Sequence, residues 1–107
     1  MVYDLACRTM DHLGTGQTIR REAVRADCYF VGQGYGLPTQ GMLNAVKMLA
    51  ELEGLLFDPV YSGKGLDGMI TLVREGALSG MNNIVFVHTG GSAGLFGYQI
   101  QTGDIFK

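Results

Sequence analysis

The glycines of this chain are gathered rather than scattered. They collect in the stretches 32–36, 63–68 and 90–97, each placed after a short apolar run. In all, 17 of the 107 residues are glycine, against an ordinary share of about 7%. Glycine in such places supplies positive φ or lets the backbone come close to a ligand. The arrangement constrains the chain to units in which a strand runs into a turn and a helix follows, with polar groups on the turns. The sharpest case is Asp58-Pro59-Val60-Tyr61-Ser62-Gly63-Lys64-Gly65, where a phenol and a hydroxyl stand together before two glycines. Gly34-Tyr35-Gly36 and His88-Thr89-Gly90-Gly91 are two more glycine-flanked polar turns. Three such turns in so short a chain point to one shared pocket.

The segments between the turns alternate in kind. Residues 2–13 read as a helix with Leu5, Met10 and Leu13 near one face and Gly14 as its stop. Residues 15–26 are polar and charged, with a short helix expected over Arg20–Arg25. Cys28-Tyr29-Phe30-Val31 reads as a buried strand, continuous rather than alternating. Thr39 is placed to cap a helix that ends before Gly54, with Met42, Ala45, Val46, Leu49 and Leu52 along its apolar stripe. Leu55-Leu56-Phe57 is a short apolar run broken by Asp58-Pro59. A helix is expected over 65–75, with Leu66, Met69, Ile70 and Val73 facing inward and Gly76 ending it. Asn83-Ile84-Val85-Phe86-Val87-His88 is the clearest strand, and a small-residue helix is expected within 90–97. The tail from Gln99 is expected to be peripheral. Helices alternating with apolar strands imply an α/β fold: one domain over 1–107, with a mostly parallel sheet covered by helices on both faces. Ligands of such sheets bind beyond the carboxyl ends of the strands, where Tyr35, Tyr61, Ser62 and Thr89 fall.

Composition narrows the function. Hydrophobic residues make up 47% of the chain, which argues against disorder, and the formal charge of -2 gives no attraction to nucleic acid or an anionic membrane. No apolar run approaches the roughly 20 residues of a spanning helix. Met1-Val2-Tyr3-Asp4 has no basic region and no cleavage pattern, so a cytoplasmic location is expected. Cys7 and Cys28 lack metal-ligand or redox spacing and read as two reduced thiols in or near the core. With His12 and His88 as the only histidines, no metal site is expected.

Each polar turn has a structural and a chemical reading. Tyr61 is either a buried aromatic or a proton donor and acceptor in a cleft, and Ser62 is either a helix cap or a ligand to the same cleft. The glycines around Tyr35 explain a turn but not why a large aromatic projects there. Thr89 either caps the following helix or belongs with Gly90 and Gly91 to a phosphate-binding loop, although that turn carries neither a P-loop nor a GxGxxG pattern. His88 reads more readily as structural than as a base. No nucleophile-His-Asp arrangement is legible in the sequence.

Taken together, Gly34-Tyr35-Gly36-Leu37-Pro38, then Leu52-Glu53-Gly54-Leu55-Leu56-Phe57-Asp58-Pro59-Val60-Tyr61-Ser62-Gly63-Lys64, then Val85-Phe86-Val87-His88-Thr89-Gly90-Gly91, resemble the D-cysteine desulfhydrase and 1-aminocyclopropane-1-carboxylate deaminase family. The likeness holds in order and spacing over nearly the whole chain. It implies the larger domain of a tryptophan synthase β-like fold, pyridoxal 5'-phosphate as cofactor and a small amino acid as substrate. By resemblance, Tyr35 and Tyr61 match the two active-site tyrosines over the cofactor. Thr89 matches a hydroxyl residue near the pyridine nitrogen. The deaminase branch carries a glutamate after the second tyrosine and an apolar residue in place of the threonine. Ser62 and Thr89 therefore favour the desulfhydrase branch, whose reaction is α,β-elimination of D-cysteine to pyruvate, ammonia and hydrogen sulfide.

The resemblance also implies a gap. The family's Schiff-base lysine, carboxylate-binding residues and phosphate cup belong to an N-terminal region with no counterpart here. Lys47, Lys64 and Lys107 do not stand at the Schiff-base position. The chain is thus expected to resemble a C-terminal portion, inactive alone, that works as a homo-oligomer or with the missing N-terminal part. Deaminase activity and a non-catalytic binding or assembly role are the alternatives.

Overall fold

The computed structural model describes residues 1–98. Its first helix, α1, spans Val2–Leu13 and ends where Gly14 turns left-handed at φ 61, its N–H returning to the Asp11 carbonyl at 3.1 Å. The sequence boundaries hold because both are local: an amphipathic run followed by a residue that alone accepts positive φ cheaply. The packing expected for that run is absent. No residue of α1 is buried, and Leu5 and Leu13 are exposed. Its link to the rest includes the Arg21 guanidinium, which sits 4.5 Å from the centre of the Tyr3 ring, just where the polar segment makes a 3₁₀ turn over Arg21–Ala23. Cys28 is exposed and Cys7 half-buried, so neither thiol lies in the core.

The second helix, α2, spans Gln40–Glu53. Thr39 caps it as expected, its hydroxyl oxygen accepting the Met42 N–H at 3.2 Å, and Gly54 closes it at φ 66. The third, α3, spans Ser62–Arg74 and starts three residues earlier than the periodicity implied. The earlier start has a cause in the residues before it, described below. These two helices make the core. Met42, Ala45 and Val46 of α2 meet Leu66 of α3, with Phe57 and Leu95 closing the cluster. Close approach depends on Gly63: a Cβ there would lie 2.6 Å from Val46 Cγ2 and 2.7 Å from the Asp58 carbonyl oxygen. Gly68 gives the same clearance to Phe30, whose Cδ2 would stand 3.0 Å from an added Cβ. A short helix, α4, Gly94–Gly97, delivers Leu95 to the core. The tail from Gln99 lies outside the described residues.

The expected parallel sheet is not formed among the described residues. Tyr29–Val31 makes a 3₁₀ turn that lays Phe30 on α3 rather than a strand. Residues 55–57 and 83–88 carry no helix or ladder, and no backbone hydrogen bond among the described residues reaches 82–90. The reason is that a central parallel strand gains its stability from neighbours on both sides. The two runs touch only through side chains. The Phe57 ring centre lies 5.5 Å from that of Phe86 and 4.3 Å from that of His88, and the Ser92 hydroxyl donates to the Leu56 carbonyl at 2.8 Å. Val85 and Val87 are left 83% and 74% exposed. What the fold does achieve is to hold the three glycine turns around the N-terminal end of α3.

Candidate active site

The turn before α3 closes on a buried carboxylate. Asp58, only 1% exposed, accepts the Val60 N–H at 2.7 Å and the Tyr61 N–H at 2.9 Å on Oδ1. Its Oδ2 accepts the Ser62 N–H at 2.9 Å and also the Ser62 hydroxyl. The Ser62 oxygen in return accepts the Asp58 N–H at 3.0 Å. Pro59, which has no N–H to satisfy, is fully buried inside this loop. The free amides of a helix start are thus met by a carboxylate four residues upstream, which is why α3 begins at Ser62 rather than at Gly65. Burial pushes the Asp58 carboxyl up. The bonds from the Ser62 hydroxyl and from the Tyr61, Ser62 and Val60 amides outweigh it, and the net direction is below the usual carboxylate range.

Tyr61 leaves this loop pointing the other way. It is half-exposed, and its hydroxyl makes no hydrogen bond among the described residues. That hydroxyl lies against the third glycine turn. A Cβ at Gly91 would come within 2.7 Å of Tyr61 Oη and 2.8 Å of Asp58 Oδ2, and Gly91 also holds φ 94. Glycine is needed there both for the dihedral angle and for the space.

Tyr35 and Tyr61 line one cavity of about 390 Å³, together with Phe30, Val31, Lys64 and Leu72. Tyr35 is 83% exposed at the tip of its turn. The Lys64 ammonium is buried and donates to the carbonyls of Val31 at 2.6 Å and Gly34 at 2.8 Å. Thr89 is exposed and lies outside this cavity; its connection runs through Gly90 and Gly91 to the Tyr61 hydroxyl. Ser62 is buried and turned to Asp58, away from the cavity. The four oxygens singled out in the sequence therefore divide: two phenols share a cavity, one alcohol adjoins by way of a glycine pair, and one is enclosed in the turn. His88 stacks on Phe57 and borders a separate apolar cavity of about 480 Å³.

Two residues of the site were not singled out from the sequence. Asp58 had a readable signal, since an aspartate whose side chain can bond its own backbone two to four residues on is a turn and cap former. Lys64 had none, because its partners lie 30 and 33 residues away.

Comparison with known proteins adds identity to this geometry. The family described as pyridoxal-phosphate dependent enzyme matches residues 3–90. A 1-aminocyclopropane-1-carboxylate deaminase of Methylobacterium nodulans is 38% identical over 97 residues, which cover 91% of this chain and 29% of that protein. One from Burkholderia cenocepacia is 39% identical over 94 residues, 88% of this chain and 28% of that protein. The chain thus spans less than a third of the length of these curated relatives.

The described residues fit one side of the cofactor. The phenols of Tyr35 and Tyr61 wall a cavity that suits an aromatic ring, and the Gly90–Gly91 turn brings backbone close beside it. They do not offer a covalent anchor. Lys47 pairs with Glu51 at 3.5 Å on α2, and Lys64 is held by two carbonyls. With the family match covering residues 3–90, the chain belongs to the pyridoxal-phosphate dependent enzymes.

Proposed function

We propose that this chain forms the tyrosine-bearing part of a pyridoxal-phosphate-dependent lyase of the D-cysteine desulfhydrase type. Its reaction would be α,β-elimination of D-cysteine to pyruvate, ammonia and hydrogen sulfide. The observation that carries this reading is the shared cavity of Tyr35 and Tyr61, with the free Tyr61 hydroxyl laid against the Gly90–Gly91 turn. Each phenol is placed to hold or pass a proton at its Oη. The bound cofactor supplies the electron sink for the bond to be broken. Thr89 offers a neutral hydroxyl at the adjoining turn, suited to the ring nitrogen. Serine at 62 also fits this branch. A glutamate there would set a second carboxylate against buried Asp58, and like charges sharing a site repel.

A second reading is 1-aminocyclopropane-1-carboxylate deamination, favoured by the names of the two relatives. The products separate the two. The desulfhydrase reading expects sulfide and pyruvate from D-cysteine, and the deaminase reading expects 2-oxobutanoate from 1-aminocyclopropane-1-carboxylate. Both are to be assayed with the chain alone and with the chain joined to a lysine-bearing N-terminal part. The joined protein is expected to turn over and the 107-residue chain is not. Vigorous sulfide release by the chain alone would overturn the conclusion that none of its lysines anchors the cofactor. Tyr61→Phe in the joined protein is expected to lower turnover about 100-fold or more, as loss of a positioned proton donor does.

A further inference from the structure

Lys64 is the one buried lysine among the described residues, and nothing in the reaction proposed above uses it. An ammonium carries three donors and no acceptor, and enclosing it is costly unless those donors are met. No carboxylate lies within ion-pair distance of it among the described residues. Its hydrogen bonds go to the carbonyls of Val31 and Gly34, at 2.6 and 2.8 Å, short distances typical of charge-assisted bonds. A methionine would fill a similar volume without the cost, so the two carbonyls are what the charge is for.

Those carbonyls belong to the turn that presents Tyr35. With 83% of its surface exposed, Tyr35 has little packing of its own to fix it. Its place is set by the backbone of 31–36. The internal bond of that turn, from the Leu37 N–H to the Gly34 carbonyl, is long at 3.4 Å. The ammonium thus holds the turn at two points on the approach to Tyr35, at its start and at the residue just before the tyrosine. Lys64 itself sits in the first turn of α3, three residues after Tyr61, on a backbone locked by the Asp58 carboxylate.

The geometry points to Lys64 as a positioning residue that sets Tyr35 against Tyr61 across the cavity by holding the Val31 and Gly34 carbonyls. Its importance to catalysis rests on the reading of the two phenols as cofactor-facing, while its geometry does not.

The test uses the full chain in solution without cofactor. Trans-hydrogen-bond scalar couplings from Lys64 Nζ to the carbonyl carbons of Val31 and Gly34 are expected in the unaltered protein. Their absence, with α2 and α3 amides well dispersed, overturns the proposal. In Lys64→Met, amide exchange over 32–37 is expected to rise about tenfold or more, with a shift of the Tyr35 ring signals, while α2 amides change less than about threefold. An equal rise through α2 would mean that Lys64 merely stabilises the core, and would overturn it too. Tyr35→Phe and Tyr61→Phe, measured for pyridoxal phosphate binding, separate this from the functional reading. If the couplings persist and both variants bind the cofactor as before, the strap stands and the functional reading fails. If the couplings are missing and both variants lose the cofactor, the reverse holds.

Discussion

Of the residues in Asp58-Pro59-Val60-Tyr61-Ser62-Gly63-Lys64, three polar ones serve the fold and one keeps its polar tip outside it. Asp58, Ser62 and Lys64 are buried with their polar atoms bonded, while the Tyr61 hydroxyl makes no hydrogen bond among the described residues. Asp58→Asn keeps the shape but gives the amides of Val60, Tyr61 and Ser62 a weaker, uncharged acceptor. A loss of about 1–2 kcal/mol in urea unfolding at pH 7 is expected. The pH dependence follows from the direction of the shift. Because the folded-state carboxyl lies below its unfolded value, its contribution is fully present above about pH 4 and fades as pH falls through the lowered value. Unfolding curves of the two proteins should therefore converge toward acid; a gap that stayed constant down to pH 2 would rule out the carboxylate as the source.

At the scale of elements, helix ends were readable and strands were not. Gly14, Thr39 and Gly54 mark their helices because a cap is a matter of one residue's dihedral angles or one side chain's reach. The start of α3 was misplaced because periodicity alone does not show that Asp58 reaches forward to its amides. The α2–α3 contact turns on Gly63, which the sequence presented only as part of a glycine-rich turn. Gly63→Ala is expected to cost about 1–3 kcal/mol by forcing α2 and α3 apart at Val46 and Met42. Gly76→Ala provides the contrast. Nothing lies within 4 Å of its added Cβ, so only the strain of φ 76 remains, about 1 kcal/mol. Equal melting shifts for the two would show that the space at Gly63 does not limit the α2–α3 contact.

The whole molecule is longer than its length requires. Its radius of gyration is 16.3 Å, with extents of 52 × 33 × 26 Å, whereas a compact chain of this size has about 13 Å. The excess goes with elements that find little to bury against among the described residues: α1 contributes no buried residue, and Val85 and Val87 face outward on a run whose backbone is unpaired among those residues. Leu52 and Leu55 add to the uncovered apolar surface. An edge of this kind recruits another strand or another molecule. The double substitution Val85→Lys with Val87→Lys should leave the melting temperature within about 2 °C, since neither side chain is buried. It should also lower concentration-dependent association in sedimentation. Unchanged association would place the contact elsewhere.

The residue order by itself determined the limits of α1 and α2, the glycine turns and the family, because caps, positive φ and short motifs are settled among neighbours in the chain. Only the tertiary structure decided which polar groups of the Asp58–Lys64 turn are enclosed and which stay exposed. It also decided that runs suited to a central sheet stand unpaired among the described residues. For Lys64 and for the sheet the outcome depends on partners some thirty residues away or on strands to either side, and hydrogen bonds of that reach leave no period in the sequence.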